Sequence, residues 1–167
     1  METKPMVGPG KFRIALLAAL IFSMMAVSAW AAGPAPDFTL KAVQDGKDYS
    51  LSQYRGKVVL VNFFTFFCGP CREEMPHLSQ MDQELKAQGF QTLGIALAST
   101  PAQLKQLIAQ LGLKYPVLMG NDAVGKAYGN IELVPITFII DRQGNIVQKI
   151  LGARSKADFE KLIKPLL

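Results

Sequence analysis

Two cysteines, one histidine and one tryptophan in 167 residues leave little room for several common chemistries. A structural zinc site needs four ligands, and Cys68, Cys71 and His77 are the only non-carboxylate candidates, so a Cys₂His₂ set is impossible. A framework of several disulfides is excluded too, because only one pair can form. There is no basic block interleaved with aromatic residues, so nucleic-acid binding has no support. Without Glu2, Lys4, Lys11 and Arg13, the net charge of +5 falls to 15 Lys and Arg against 12 Asp and Glu, the balance of an ordinary solvated surface. Internal repeats and low-complexity stretches are also missing.

Long hydrophobic runs are scarce, and the longest opens the chain. Lys4, Lys11 and Arg13 form a basic region ahead of the apolar stretch Ile14 to Ser28, and Ala29-Trp30-Ala31 fits a small-x-small cleavage site. This is the layout of a secretory signal peptide over residues 1–31. The competing reading is an uncleaved membrane anchor, since Ile14 to Ala32 spans 19 residues. No cysteine lies near the cleavage point, which excludes a lipid-anchored lipoprotein. Gly33-Pro34-Ala35-Pro36 continues as an extended linker over 32–36, and a single domain is expected over 37–167. A periplasmic or otherwise exported location follows, membrane-anchored if the leader stays. Disulfides persist in such a compartment.

The two cysteines form one motif, Cys68-Gly69-Pro70-Cys71. It follows the run Val58 to Phe67 and precedes a helical pattern, the arrangement of a thiol–disulfide redox site. Cys68 falls at the expected helix N-terminus, where free N–H groups and the macrodipole favour an anion. The thiolate is the attacking form. Cys71 follows about one helical turn on, where it can resolve a mixed disulfide. A purely structural disulfide is the weaker reading, because a two-residue loop constrains the unfolded chain little.

Elsewhere, Asp37 to Leu40 and Tyr49 to Leu51 flank the turn-like Gln44 to Lys47 and predict a hairpin. Val58 to Phe64 reads as a strand buried on both faces. Met75, Leu78, Met81 and Leu85 give the next helix its apolar stripe, with Pro76 expected to kink it and Gly89 to stop it. Thr92 to Leu97 reads as a second buried strand. Thr100-Pro101 opens a helix that Gly112 ends. A short strand over Tyr115 to Met119 and a short helix over Asp122 to Tyr128 follow. Ile136 to Ile140 and Ile146 to Leu151 form a second hairpin, and Ser155 caps the last helix.

This order, with one CxxC between the first core strand and the first helix, resembles the thioredoxin fold. It implies an α/β, three-layer architecture: a mixed central sheet with helices on both faces, an N-terminal β-hairpin and a central helix–strand–helix insertion. Within that superfamily four stretches are similar to the exported TlpA/ResA-like thiol–disulfide oxidoreductases. They are Ala35-Pro36-Asp37-Phe38-Thr39-Leu40, Val59-Leu60-Val61-Asn62-Phe63, Cys71-Arg72-Glu73-Glu74-Met75-Pro76 and Val134-Pro135.

The resemblance implies roles. Cys68 would be the nucleophile, Cys71 the resolving thiol, and Glu74 a carboxylate that tunes the cysteines and shuttles protons. Glu73 and Glu74 are read as lying in the first helical turn, opposing thiolate formation, with Arg72 partly offsetting them. Asn62 stands where thioredoxin has a buried Asp, so a thioredoxin-type base is absent. Val134-Pro135 resembles the cis-proline loop that faces the CxxC, with Val134 offering backbone groups to an extended partner. Gly69, Pro70 and the aromatic lip Phe67 would complete the substrate contacts. Relatives usually carry Trp in place of Phe67 and often Thr in place of Ile136. His77 is read as a surface residue.

No cofactor and no metal are implied. Expected partners are the thiols and disulfides of exported proteins, apocytochrome c among them, and a membrane thiol carrier as electron donor; the chain itself is expected to be a monomer. An alternative is a peroxiredoxin-like thiol peroxidase, suggested by Ala35 to Leu40 and by the Thr65-x-x-Cys68 spacing. Its PxxxTxxC motif, however, needs Pro where this chain has Val61. A non-enzymatic metal or thiol binding module is the other alternative; related copper carriers use CxxxC and a distant His, neither of which is present.

Trp30 is the only tryptophan, and cleavage after Ala31 removes it. The exported protein should therefore begin at Ala32 by mass spectrometry and fluoresce from its four tyrosines alone. A tryptophan emission band in that form would mean that the leader is retained.

Overall fold

The run Val58–Phe64 forms a strand in which every residue is buried, and the rest of the domain is arranged around it. The computed structural model describes residues 33–167. The expected leader over 1–31 lies outside the described residues. Among those described, no helix is long and apolar enough to cross a membrane.

In chain order the elements are β1 (Thr39–Lys41), β2 (Asp48–Ser50), β3 (Val58–Phe64), α1 (Gly69–Leu85), β4 (Phe90–Ala96), α2 (Pro101–Leu111), β5 (Val117–Met119), α3 (Asp122–Ala127), β6 (Ile136–Ile140), β7 (Ile146–Leu151) and α4 (Lys156–Ile163). The central sheet has the order β5-β4-β3-β6-β7. Strands β3, β4 and β5 run parallel, and β6 and β7 are antiparallel to their neighbours. β1 and β2 form the expected separate hairpin. The hairpin is tied to β5 by the bridge Ala42 to Leu118 and by Val43 N–H donating to Val117 C=O at 2.8 Å.

Alternation along β3 sorts its side chains between two cores. Val58, Leu60 and Phe64 pack with Met75 and Leu78 of α1, Leu104 and Leu107 of α2, and Phe159 of α4. Val59, Val61 and Phe63 pack with Phe38 and Leu40 of the hairpin and Val124 of α3. Three helices therefore cover one face, and a short helix with the hairpin covers the other. The layered mixed α/β architecture is the expected one, with α2, β5 and α3 as the central insertion.

The element ends follow their local chemistry. Cys68 is the N-cap of α1, extended at φ −78° and ψ 104°. Gly69 and Pro70 follow as the first two helical residues, where a missing N–H costs nothing. Pro76 stands inside α1 on its exposed side, and the helix continues to Leu85. A short 3₁₀ turn, Lys86–Gln88, then leads to Gly89 at φ 87°, later than the helix end itself. Thr100 and Gln103 cap α2 reciprocally. Because α1 begins at Gly69, Glu73 and Glu74 fall in its second turn rather than its first, beyond the strongest reach of the helix terminus.

One glycine is required by close approach. A Cβ on Gly94 of β4 would lie 2.9 Å from the Tyr115 ring and 3.3 Å from the Phe64 ring. The vacant position lets the Tyr115 ring pack fully buried on the α1 side of the sheet.

Candidate active site

The C-terminal end of β3 delivers the chain to Cys68, and the start of α1 carries it to Cys71. The two sulfurs are joined in a disulfide. Their surroundings differ. Cys71 is about 1% exposed, whereas Cys68 is half-buried between the exposed Phe67 and Gly69. The backbone N–H of Cys71 donates to Cys68 Sγ at 3.2 Å, so the helix N-terminus is aimed at the more accessible sulfur. A negative charge on Cys68 would be favoured by that geometry.

The Val134–Pro135 peptide bond is cis, as the resemblance implies. The Val134 carbonyl oxygen lies 3.7 Å from Cys68 Sγ. Among the described residues the Val134 N–H has no acceptor. Val134 is half-buried; Pro135 is buried, and its carbonyl accepts from Gly152 N–H at 2.9 Å. The backbone of Val134, rather than the ring of Pro135, is thus the group presented beside the sulfur. Phe67 and Leu133 stand 76% and 77% exposed, one before each arm of the site, and large apolar side chains left in water mark contact surfaces. Phe67 is steadied edge-on by Phe66 at 5.0 Å between centroids.

Glu74 is placed very differently from an exposed helix glutamate: it is only 2% exposed. Its Oε1 accepts from Asn62 Nδ2 at 2.9 Å and its Oε2 accepts from the Arg154 backbone N–H at 2.8 Å. Burial pushes its carboxyl up from an ordinary 4.5 to about 7, against the opposing pull of those hydrogen bonds and of the Arg154 charge. Removal from water wins over two good donors. The neighbouring Glu73 is exposed. Arg72 is directed to Gln110 Oε1 at 3.2 Å and over the Phe66 ring at 5.7 Å.

The site therefore gathers Phe67, Cys68, Gly69, Pro70, Cys71, Val134 and Pro135 at one end of the sheet, with Glu74 beneath. His77 is exposed, as expected. Among the described residues, no cluster of His, Cys, Asp and Glu is placed to hold a metal. Sequence reasoning missed both partners of Glu74, Asn62 and the Arg154 backbone, and the Thr137 hydroxyl that Asn62 also meets. Thr137 carries a signal in hindsight. It is the one polar residue in the buried run Ile136–Ile140, and buried hydroxyls are hydrogen-bonded.

A family model described as Redoxin matches residues 31–163. A thiol-disulfide oxidoreductase, ResA, of Geobacillus kaustophilus is 34% identical over 133 residues, covering 79% of this chain and 75% of that protein. ResA of Bacillus subtilis is 30% identical over 135 residues, covering 78% and 74%. A crystal structure of a thiol:disulfide interchange protein from Chlorobium tepidum superposes with a TM-score of 0.76 at 36% identity, covering 81% of this chain and 97% of that one. The chain belongs to the Redoxin family and, within it, to the ResA-like thiol–disulfide oxidoreductases of the thioredoxin fold. The redox reading of Cys68 and Cys71 thus stands, and the enzyme is an oxidoreductase.

The Glu74 environment makes stability depend on pH. Its carboxyl holds a proton more tightly in the folded state than in the unfolded chain, so folding takes up a proton between about pH 4.5 and about 7. Stability contributed by the neutral form is complete at the acid end and declines as pH rises through that window, by about 3 kcal/mol for a shift of this size. Urea unfolding of the oxidised protein should therefore give a free energy that falls from pH 5 to pH 7.5. Glu74→Gln should remove most of the fall. The buried Asp82, whose carboxyl is also raised by burial, leaves a smaller slope of the same sign. An unchanged slope in Glu74→Gln would contradict the assignment.

Proposed function

We propose that this protein reduces disulfides in exported proteins on the outer side of the cytoplasmic membrane, drawing electrons from a membrane thiol carrier. The observation that carries the direction of attack is the asymmetry of the two sulfurs: Cys68 is accessible and receives the Cys71 N–H, and Cys71 is buried. In the reduced protein, the Cys68 thiolate attacks one sulfur of the client disulfide. A Cys68–client bond forms, the client S–S bond breaks, and the departing client thiolate takes a proton. The Cys71 thiol then gives its proton to Glu74 and attacks Cys68. The Cys68–Cys71 disulfide closes, and the second client sulfur leaves as a thiol. Two electrons pass to the client, and a donor dithiol restores the pair by the reverse exchange.

The other residues position the client. An extended segment lies along Val134, using its N–H and C=O in the manner of an added strand. Phe67 and the exposed turn Gly69-Pro70 contact the client beside its sulfur. The residues 1–31 act as the export signal, with the folded domain over 37–167 released or held at the membrane. Clients include the disulfide of apocytochrome c, whose two sulfurs must be thiols for haem attachment; the likeness to ResA supports this choice. The protein works as a monomer, without a bound cofactor.

Two measurements test this reading. The Cys71→Ser protein should accumulate mixed disulfides with client proteins through Cys68, and Cys68→Ser should trap none. The reverse pattern would exchange the two roles.

The poise is the second test. Gly69 and Pro70 carry no charge, Arg72 is engaged elsewhere, and Glu74 lies close behind Cys71. The Cys68 thiolate is therefore only moderately favoured, and a strong oxidant needs a specially stabilised reduced form. Equilibration with glutathione and dithiothreitol should give a potential near about −270 mV, the region of thioredoxin. A value above about −180 mV would falsify the reductant assignment and make the protein an oxidase or isomerase.

A further inference from the structure

Every group facing the Glu74 carboxyl is a donor: Asn62 Nδ2 on one oxygen and the Arg154 N–H on the other. That shell suits an ionised carboxylate. The neutral acid needs an acceptor for its proton, and the amide that touches it carries one, Asn62 Oδ1, which is buried and without a hydrogen-bond partner. Asn62 Nδ2 spends its two hydrogens on Glu74 Oε1 and on Thr137 Oγ1, both at 2.9 Å. Thr137 lies directly opposite Asn62 across the β3–β6 ladder. Its hydroxyl can accept or donate simply by rotating.

We propose that Asn62 and Thr137 form a reversible hydrogen-bond pair that holds Glu74 in both of its protonation states. With Glu74 ionised, the Asn62 amide donates to it and to Thr137. When Glu74 takes a proton, the carboxamide turns over. Asn62 Oδ1 then accepts the Glu74 O–H and the Thr137 O–H, while the amide hydrogens move to the unpartnered position that Oδ1 leaves, a cost that makes the pair favour the ionised state. Asn62 is a positioning residue in this scheme, and Thr137 is its adjustable stop. The pair lets a buried carboxyl gain and lose a proton without moving off the base of Cys71.

The chemistry also accounts for an amide at this position. Asp would be an acceptor only, and it would set a second negative charge against Glu74. Leu would supply neither donor nor acceptor. The titratable and charged groups around Glu74 are Arg154 before α4 and the Tyr115 phenol before β5, whose proton is held by burial first and by the Glu74 charge second; Cys71, on the same helix, titrates only when the disulfide is reduced. Asn62 and Thr137, contributed by β3 and β6, do not titrate.

The inference rests on Glu74 exchanging protons with the dithiol, but its test does not need turnover. In the oxidised full-length protein, NMR can follow the Glu74 carboxyl carbon and the Asn62 side-chain amide through pH 5 to 9. Both should shift with one shared midpoint. Because the Asn62 hydrogen bond favours the ionised carboxyl, Asn62→Leu should raise the proton affinity of Glu74 about tenfold, and Thr137→Val about threefold, with Thr137→Ser restoring the wild-type midpoint. An Asn62 amide that shows no transition at the Glu74 midpoint overturns the proposal. So does a Glu74 midpoint within twofold of wild type in Thr137→Val, a variant that keeps the shape of the strand if Asn62→Leu does not fold. A potential that rejects the reductant reading would leave these NMR results unaffected.

Discussion

Burial of β3 on both faces is the constraint from which the site follows. Its six apolar side chains each contribute about 1.5–3 kcal/mol by leaving water, and no register shifted by one residue could keep them divided between the same two cores. That division fixes the direction of Asn62, which lies among the α1-facing residues. It also fixes where the strand ends, and so where Cys68 leaves the sheet and enters α1.

Two electrostatic effects then compete around the sulfurs. The start of α1 directs an N–H at Cys68 and favours its anion. Glu74, in the second turn of the same helix, is buried beneath and sets a titrating carboxyl three residues beyond Cys71. Its affinity for protons is raised because desolvation outweighs two hydrogen bonds. A carboxyl that changes charge near neutral pH suits a reaction in which thiols must gain and lose protons. Asn62 on β3 does not titrate; the buried group that does is Glu74, on α1.

Much of the architecture was legible in the chain. The hairpins, the buried runs, Thr100 as a cap and Gly112 as a stop all rest on local preferences that neighbouring residues enforce. The less legible features are long-range. Glu74 reads from its neighbours as one of two adjacent helix glutamates, and nothing local says that one is buried and the other solvated. The difference arises because β3, β6 and the loop before α4 close over one side of α1. Glu73 and Glu74 are the fifth and sixth residues of a helix that begins at Gly69, so both lie past the first turn.

The sequence by itself determined the chemistry available: one dithiol pair, a strand to deliver it, a helix terminus to activate it, and no other thiol to compete. Those features depend on residues a few positions apart. Tertiary structure decided how that chemistry is controlled. Asn62 meets Glu74 across 12 positions, Cys68 meets Val134 across 66, Asn62 meets Thr137 across 75, and Glu74 meets Arg154 across 80. The environment of a charge is the sum of everything packed around it. It does not exist until the sheet has been assembled.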